Sequence, residues 1–314
     1  MKTTWCAATA LLVLPVIDGL ASSPYATLQA AKVVDPRDGS VASPLEGLGS
    51  RSLCIVLPQL GDFCTAEYAE HLVAVGPELR EAGLDLRVIG IGDAGSARRF
   101  SEFTQLPLSA LRLSPDAAVH AALGLHQGPD WPAPGFLPDS IRASFRSWLN
   151  YMAMCAGIAA PGTLREIARG YFGDRSAPER LAPDARVRAG PITITGTRRV
   201  QIGPWIDYEN AWKDERGFQR PVELATVRLR NMVEVLSRWS EYVPDDAHLA
   251  VRGATFVFED GAAAYEYRER GVLTYSATMP RPLSFLEPYI GAAKARNPLG
   301  FADTGGEAPP ASVL

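Results

Sequence analysis

The chain has 314 residues, a formal net charge of −4, 47% hydrophobic and 21% charged residues, and four cysteines. This balance excludes a disordered chain, which carries fewer apolar residues and more net charge, and a polybasic nucleic-acid binder, which carries a basic excess. Four cysteines are too few for a disulfide scaffold at this length, so a hydrophobic core must hold the fold, as one large domain or two small ones.

Residues 1–23 read as a signal or targeting peptide. Lys2 supplies the positive start, Ala7 to Ile17 an apolar run broken only by Thr9 and Pro15, and Gly19 to Ser23 the small residues of a cleavage region. The run is shorter than the roughly 20 apolar residues a span requires, and no other window approaches one, so no stable membrane span is expected in the mature chain. With Cys6 in the leader, Cys54, Cys64 and Cys155 remain. An odd set argues against a purely structural disulfide framework. Residues 24–50 are rich in Ser, Ala, Gly and Pro and suit a linker or loose leading arm.

Leu53 to Leu57 is a continuous apolar run, the pattern of a strand buried on both faces. Cys64 to Arg80 carries apolar or small residues at Ala69, Leu72, Val73, Val75 and Leu79 with charges between, which suits one helix ended by Gly83. Leu86 to Ile91 gives a second strand, Ser96 to Gln105 a helix and Leu108 to Leu113 a third strand. Ser114, Pro115 and Asp116 then open a helix through Leu123. Such a β-α-β-α-β-α series implies a largely parallel sheet. From about 127 to 220 prolines degrade the pattern, leaving a helix over Ser140 to Cys155, a helical turn near Thr163 to Arg169, and a hairpin around Gly196 within Pro191 to Ile202. Regularity returns with a long helix over Pro221 to Tyr242. Two strands joined through Asp260-Gly261 follow, then a closing helix over Pro282 to Arg296. The order predicts an α/β thioredoxin-like fold over residues 51–298, with an insertion at about 127–220 and a frayed tail at 299–314.

Cys64 follows the first buried strand through a short loop and begins the first helix. The positive end of the helix dipole and nearby N–H donors favour a thiolate there, while Asp62 and Glu67 oppose it. The run from Cys54 to Leu125 resembles the peroxiredoxin-like proteins of the AhpC/TSA antioxidant group, including plastid forms of plants and algae. The segments beginning at Gly217, Gly253 and Arg281 resemble the same group. The resemblance implies a thioredoxin-like thiol oxidoreductase acting on a peroxide or a protein disulfide through Cys64, with an external thiol such as thioredoxin or glutathione as reductant. Where relatives carry the first cysteine of Cys-x-x-Cys, this chain has Gly61, which removes a dithiol cycle within that motif. Against the peroxiredoxin pattern Pro-x-x-x-Thr-x-x-Cys, Pro58 stands one residue too near and Gly61 replaces the peroxide-binding Thr. Arg252-Gly253 resembles the Arg-Gly that peroxiredoxins carry before a late strand, with one extra residue before the Phe-Val pair; the resemblance implies a guanidinium that stabilises the thiolate, and a solvated loop charge is the alternative. Cys155 is the candidate resolving thiol, or a packing residue among Met152, Met154 and Ile158, and Cys54 reads as packing within its strand.

Gly90 to Gly95 fits G-x-G-x-x-G between strand and helix, but Asp116 lies in a helix start rather than at a strand end, against a dinucleotide site. The four histidines share no ligand spacing with the cysteines, so neither a metal nor a cofactor is expected. Arg198 and Arg199 suit a solvated hairpin edge, and Trp205, Tyr208, Trp212 and Phe218 suit docking of the insertion. The rival expectation, favoured by Gly61, is a catalytically inactive thioredoxin-fold binding or assembly protein of the plastid. The leader and the resemblance together imply a plastid destination, with secretion or an endomembrane lumen as the alternative.

Overall fold

The computed structural model describes residues 22–181, 186–189, 192–195, 218–219 and 223–299. The leader up to 21, the tail from 300, and residues 196–217 with Arg198, Arg199, Trp205, Tyr208 and Trp212 lie outside the described residues.

The segment expected as a loose arm is ordered and packed. Ser23 accepts a hydrogen bond from Ala26 N and Pro24 presets the first turn of α1 (Pro24–Ala30). β1 (Val33–Val34) and β2 (Val41–Ala42) then add to one edge of the main sheet. Leu28, Val33 and Leu45 provide the apolar contacts that a linker would lack.

β3 (Arg51–Gln59) is buried from Ser52 onward, as its unbroken apolar run demands. The expected single helix after it is two, α2 (Thr65–Ala74) and α3 (Gly76–Glu81), because Pro77 has no N–H for the ladder and sets a new helix start. β4 (Asp85–Ile91), α4 (Ala94–Thr104), β5 (Leu111–Leu113) and α5 (Ala118–Ala122) complete the parallel half. α5 starts later than Ser114-Pro115-Asp116 suggests. Ala117 adopts a left-handed φ of 55°, and the Ser114 and Asp116 side chains accept from Val119 N and Ala118 N.

Next come α6 (Asp139–Cys155), α7 (Thr163–Phe172), β6 (Asp174–Pro178), β7 (Arg186–Ala189), β8 (Ile192–Thr195) and β9 (Phe218–Gln219). β7 and β8 pair antiparallel, Ala189 with Ile192 and Arg186 with Thr195, and the expected turn around Gly196 lies outside the described residues. α8 (Glu223–Ser237) and α9 (Trp239–Tyr242) replace one long helix, separated by Arg238 at φ −133°. β10 (Ala254–Glu259) and β11 (Ala262–Arg268) are joined by Asp260 and Gly261 with φ of 49° and 81°, the geometry that Asp-Gly supplies. The closing helix is also broken, into a 3-10 turn at Ser284–Leu286, α10 (Glu287–Ile290) and α11 (Ala292–Arg296), with Pro288 and Gly291 at the interruptions.

The main sheet runs β11-β10-β3-β4-β5-β1-β2, with β3, β4 and β5 parallel and the remaining pairs antiparallel. Leu53, Ile55 and Leu57 point into the core under α2, while Cys54 and Val56 point into a second core with Leu28, Phe256 and Phe258. This alternation makes a sheet covered on both faces, in a thioredoxin-like fold. Among the described residues no helix is long and apolar enough to cross a membrane.

Candidate functional site

The turn from β3 into α2 places Cys64 at the N-cap of α2, completely buried. Thr65 holds the turn, its hydroxyl donating to Leu60 O at 3.0 Å and Asp62 O at 2.7 Å. Asp62 Oδ1 accepts the Cys64 backbone N–H at 3.1 Å and the Cys64 thiol at 2.9 Å. Its other oxygen accepts Arg252 Nη2 at 2.8 Å. Arg252 is fully buried, donates further to Leu249 O at 2.7 Å, and lies 5.8 Å above the Tyr151 ring centroid. Glu269, just beyond β11, closes the cluster. Its Oε1 lies 3.5 Å from Cys64 Sγ and 3.9 Å from Arg252 Nη1, and its Oε2 accepts Gly253 N at 3.0 Å.

The structure thus brings Arg252 into one cluster with Cys64, linked to the thiol through the two carboxylates. The helix start does not prevail over the local charge. Burial first, then the negative charges of Asp62 and Glu269, push the Cys64 pKa well above its usual value, and Arg252 offsets only part of this. Burial works against the Arg252 guanidinium too, yet Asp62 and Glu269 outweigh it and raise its pKa. Burial raises the Glu269 carboxyl to about 7, with Arg252 as the main opposing influence. Glu67, expected to act on the thiol, instead anchors Arg228 at 2.9 Å and Arg180 at 3.1 Å.

Cys155 ends α6 half-buried and forms part of the wall of a largely apolar cavity of about 390 Å³, with Phe63, Met152, Ile167, Leu229 and Met232. Burial, then Asp62, raises its pKa to about 11, while Arg252 lowers it. It thus shares the electrostatic field of the Cys64 cluster. Cys54, Cys64 and Cys155 are all free thiols. Cys54 faces the opposite core, and burial alone pushes it up to about 12 against a small Arg87 effect.

The glycine motif at 90–95 is explained by packing. A Cβ at Gly90 would meet Leu60 Cδ2 at 2.5 Å, and one at Gly92 would meet Ser96 Oγ at 2.4 Å. The α4 N-terminus is closed by a reciprocal Asp93–Ser96 cap, whose carboxylate stands where a phosphate would need N–H donors. Among the described residues no three His, Cys, Asp or Glu side chains converge as metal ligands. Within the thiol cluster Arg252 already supplies the counter-charge.

Glu269 carries no motif of its own in the sequence. Antiparallel pairing outward from Asp260-Gly261, shifted by one residue between Val257 and Phe258, sets Ala254 opposite Arg268 and carries Glu269 to Arg252-Gly253. Gly253 leaves room for both β3 and the carboxylate, since a Cβ there would clash with Val56 O and lie 3.2 Å from Glu269 Oε2.

The fold is thioredoxin-like, with a buried cysteine at a helix start and a buried arginine bonded to the same carboxylate, Asp62. The family model for the AhpC/TSA antioxidant enzyme matches residues 71–271, more than half of the chain, and the chain belongs to that family. The matched span contains Cys155, Arg252 and Glu269 and begins after Cys64. No curated protein and no solved structure matches the chain.

Proposed function

We propose that this chain is a thiol oxidoreductase whose Cys64 attacks a peroxide or a protein disulfide, reduced afterwards by an external thiol such as thioredoxin or glutathione. The observation that carries the reading is the convergence of Cys64 and buried Arg252 on Asp62 at 2.9 and 2.8 Å. Family membership supports thiol and peroxide chemistry. In the peroxide reaction the Cys64 proton leaves, sulfur attacks the terminal oxygen, and the O–O bond breaks to give a sulfenic acid and an alcohol or water. Cys155 or the external thiol then displaces the sulfenic hydroxyl as water, forming a disulfide. A leader-directed plastid location belongs to the same proposal.

The second reading, a thioredoxin-fold binding or assembly protein without catalysis, is favoured by the burial and the two carboxylates that push the thiol pKa up. Peroxide consumption with thioredoxin or glutathione present, and trapping of Cys64 sulfenic acid by a dimedone reagent, separate the two. The oxidoreductase reading expects turnover and trapping in the wild type and neither in Cys64→Ser. Equal consumption by both proteins, with Cys64 unmodified, leaves the binding reading.

A further inference from the structure

We propose that Glu269 is the proton acceptor for the Cys64 thiol and then the proton donor to the leaving oxygen, a catalytic acid–base residue working across the sheet from the helix start. The inference rests on the thiol chemistry proposed for Cys64 and names the group that this chemistry requires.

A thiol must lose its proton before it attacks, and a buried thiol cannot give it to bulk water. Two oxygens lie within reach of Sγ. Asp62 Oδ1 is closer at 2.9 Å, but it also accepts the Cys64 backbone N–H, and the other oxygen is bound to Arg252 Nη2 at 2.8 Å. Asp62 is thereby committed to holding the thiol and the guanidinium in place. Glu269 Oε1, at 3.5 Å from Sγ, meets Arg252 only at 3.9 Å, and its single short bond, from Gly253 N, falls on the other oxygen. Cys64 and Glu269 also border one small void of about 10 Å³, so their side chains face a common space. Among the described residues no histidine hydrogen-bonds the thiol.

The groups facing Glu269 agree with this division of labour. Asp62 and Cys64 approach from the β3–α2 turn, Arg252 from the loop before β10, Tyr68 from α2 and Tyr267 from β11. Burial lifts the Glu269 carboxyl to about 7, which makes it a stronger base than an ordinary carboxylate, and taking up the proton removes one of the negative charges that oppose the Cys64 thiolate. Two carboxylates in one cluster are thus divided into a positioning group and a proton carrier.

The step balances. The S–H bond breaks, its electron pair stays on sulfur, and the proton moves to Glu269 Oε1, so the charge of the cluster is unchanged. Sulfur then bonds the terminal peroxide oxygen as the O–O bond breaks. The departing alkoxide or hydroxide takes the proton from Glu269. Thiol and hydroperoxide become sulfenic acid and alcohol or water.

The test is the pH profile of Cys64 alkylation by iodoacetamide, read by peptide mass spectrometry on the full chain as wild type, Glu269→Gln and Glu269→Asp. The wild-type rate should rise through an inflection within about one unit of pH 7. Glu269→Gln should lose that inflection and slow alkylation at pH 8 by about 10- to 100-fold. Glu269→Asp should retain an inflection. Faster alkylation in Glu269→Gln would mean that the carboxylate merely represses the thiolate, and would overturn the proposal. An unchanged profile, or a wild type with no inflection or no Cys64 alkylation, overturns it equally, and the wild-type arm stands even if the variants do not fold. A wild type that shows the inflection yet consumes no peroxide and forms no mixed disulfide leaves Glu269 as the base and removes the oxidoreductase reading.

Discussion

Gly61 and Gly253 flank the thiol site, and both are glycine because of what a Cβ would meet. At Gly61 it would lie 2.4 Å from Val243 Cγ2 and 3.1 Å from Tyr242 Cβ, so α9 packs into the space of a side chain. The missing first cysteine of Cys-x-x-Cys is therefore more than an exchange of one atom set for another. Gly61→Cys should destabilise the protein by about 1–3 kcal/mol, and Val243→Ala in the same chain should recover much of that loss. Urea denaturation of the two single variants and the double variant checks this, and a fully stable Gly61→Cys contradicts the packing account. At this scale the sequence offered Cys64 as a candidate through its helix start and Arg252 through an Arg-Gly pair resembling that of peroxiredoxins, both of them local patterns. The fate of the thiol proton was not legible, since it depends on Glu269 across the sheet and on burial, neither of which has a local signature.

Among the elements, α2 carries both the thiol and the tie to the inserted region. Glu67 on α2 is buried with Arg228 of α8 and Arg180, and Arg228 also lies 3.5 Å from Glu166 of α7. Removing one member of such a buried pair leaves uncompensated charge, so Glu67→Gln should cost about 3–5 kcal/mol. Breaking the exposed Arg51–Glu259 pair should cost less than about 1 kcal/mol. The pH dependence has a definite sign. Burial alone would raise the Glu67 pKa, but Arg228 and Arg180 lower it to about 2 from 4.5. The unfolded chain then binds the extra proton, so the Glu67 contribution is present above about pH 4.5 and fades as pH falls toward 2. Acid titration of stability should show this limb in wild type and a flatter one in Glu67→Gln. Element types were readable from periodicity, while element ends were less so. The helix after Cys64 and the one after Pro282 both read as continuous, because their apolar spacing persists through Pro77, Pro288 and Gly291, where the backbone turns aside.

For the whole molecule, the sheet needs both its covers. One face is closed by α2 and its neighbours, and the other in part by residues 24–34, which composition alone made look dispensable. The Ser, Ala, Gly and Pro content of residues 24–50 concealed Leu28 and Val33, 0% and 1% exposed, because two anchoring side chains carry no periodic signal. Deleting residues 22–34 should uncover Cys54, Val56, Phe256 and Phe258 and cost about 3–6 kcal/mol from those two side chains. Increased binding of a dye such as ANS and alkylation of Cys54 would report the opened face, and unchanged values would refute its role as a cover. The hairpin that brings Glu269 to the thiol also has a consequence in time. Cys64 and Glu269 are 205 residues apart, so most of the chain must be synthesised before they can meet. Until then the thiol has neither the burial nor the carboxylates that surround it in the finished fold. An oxidant that arrives early meets a different molecule from one that arrives late.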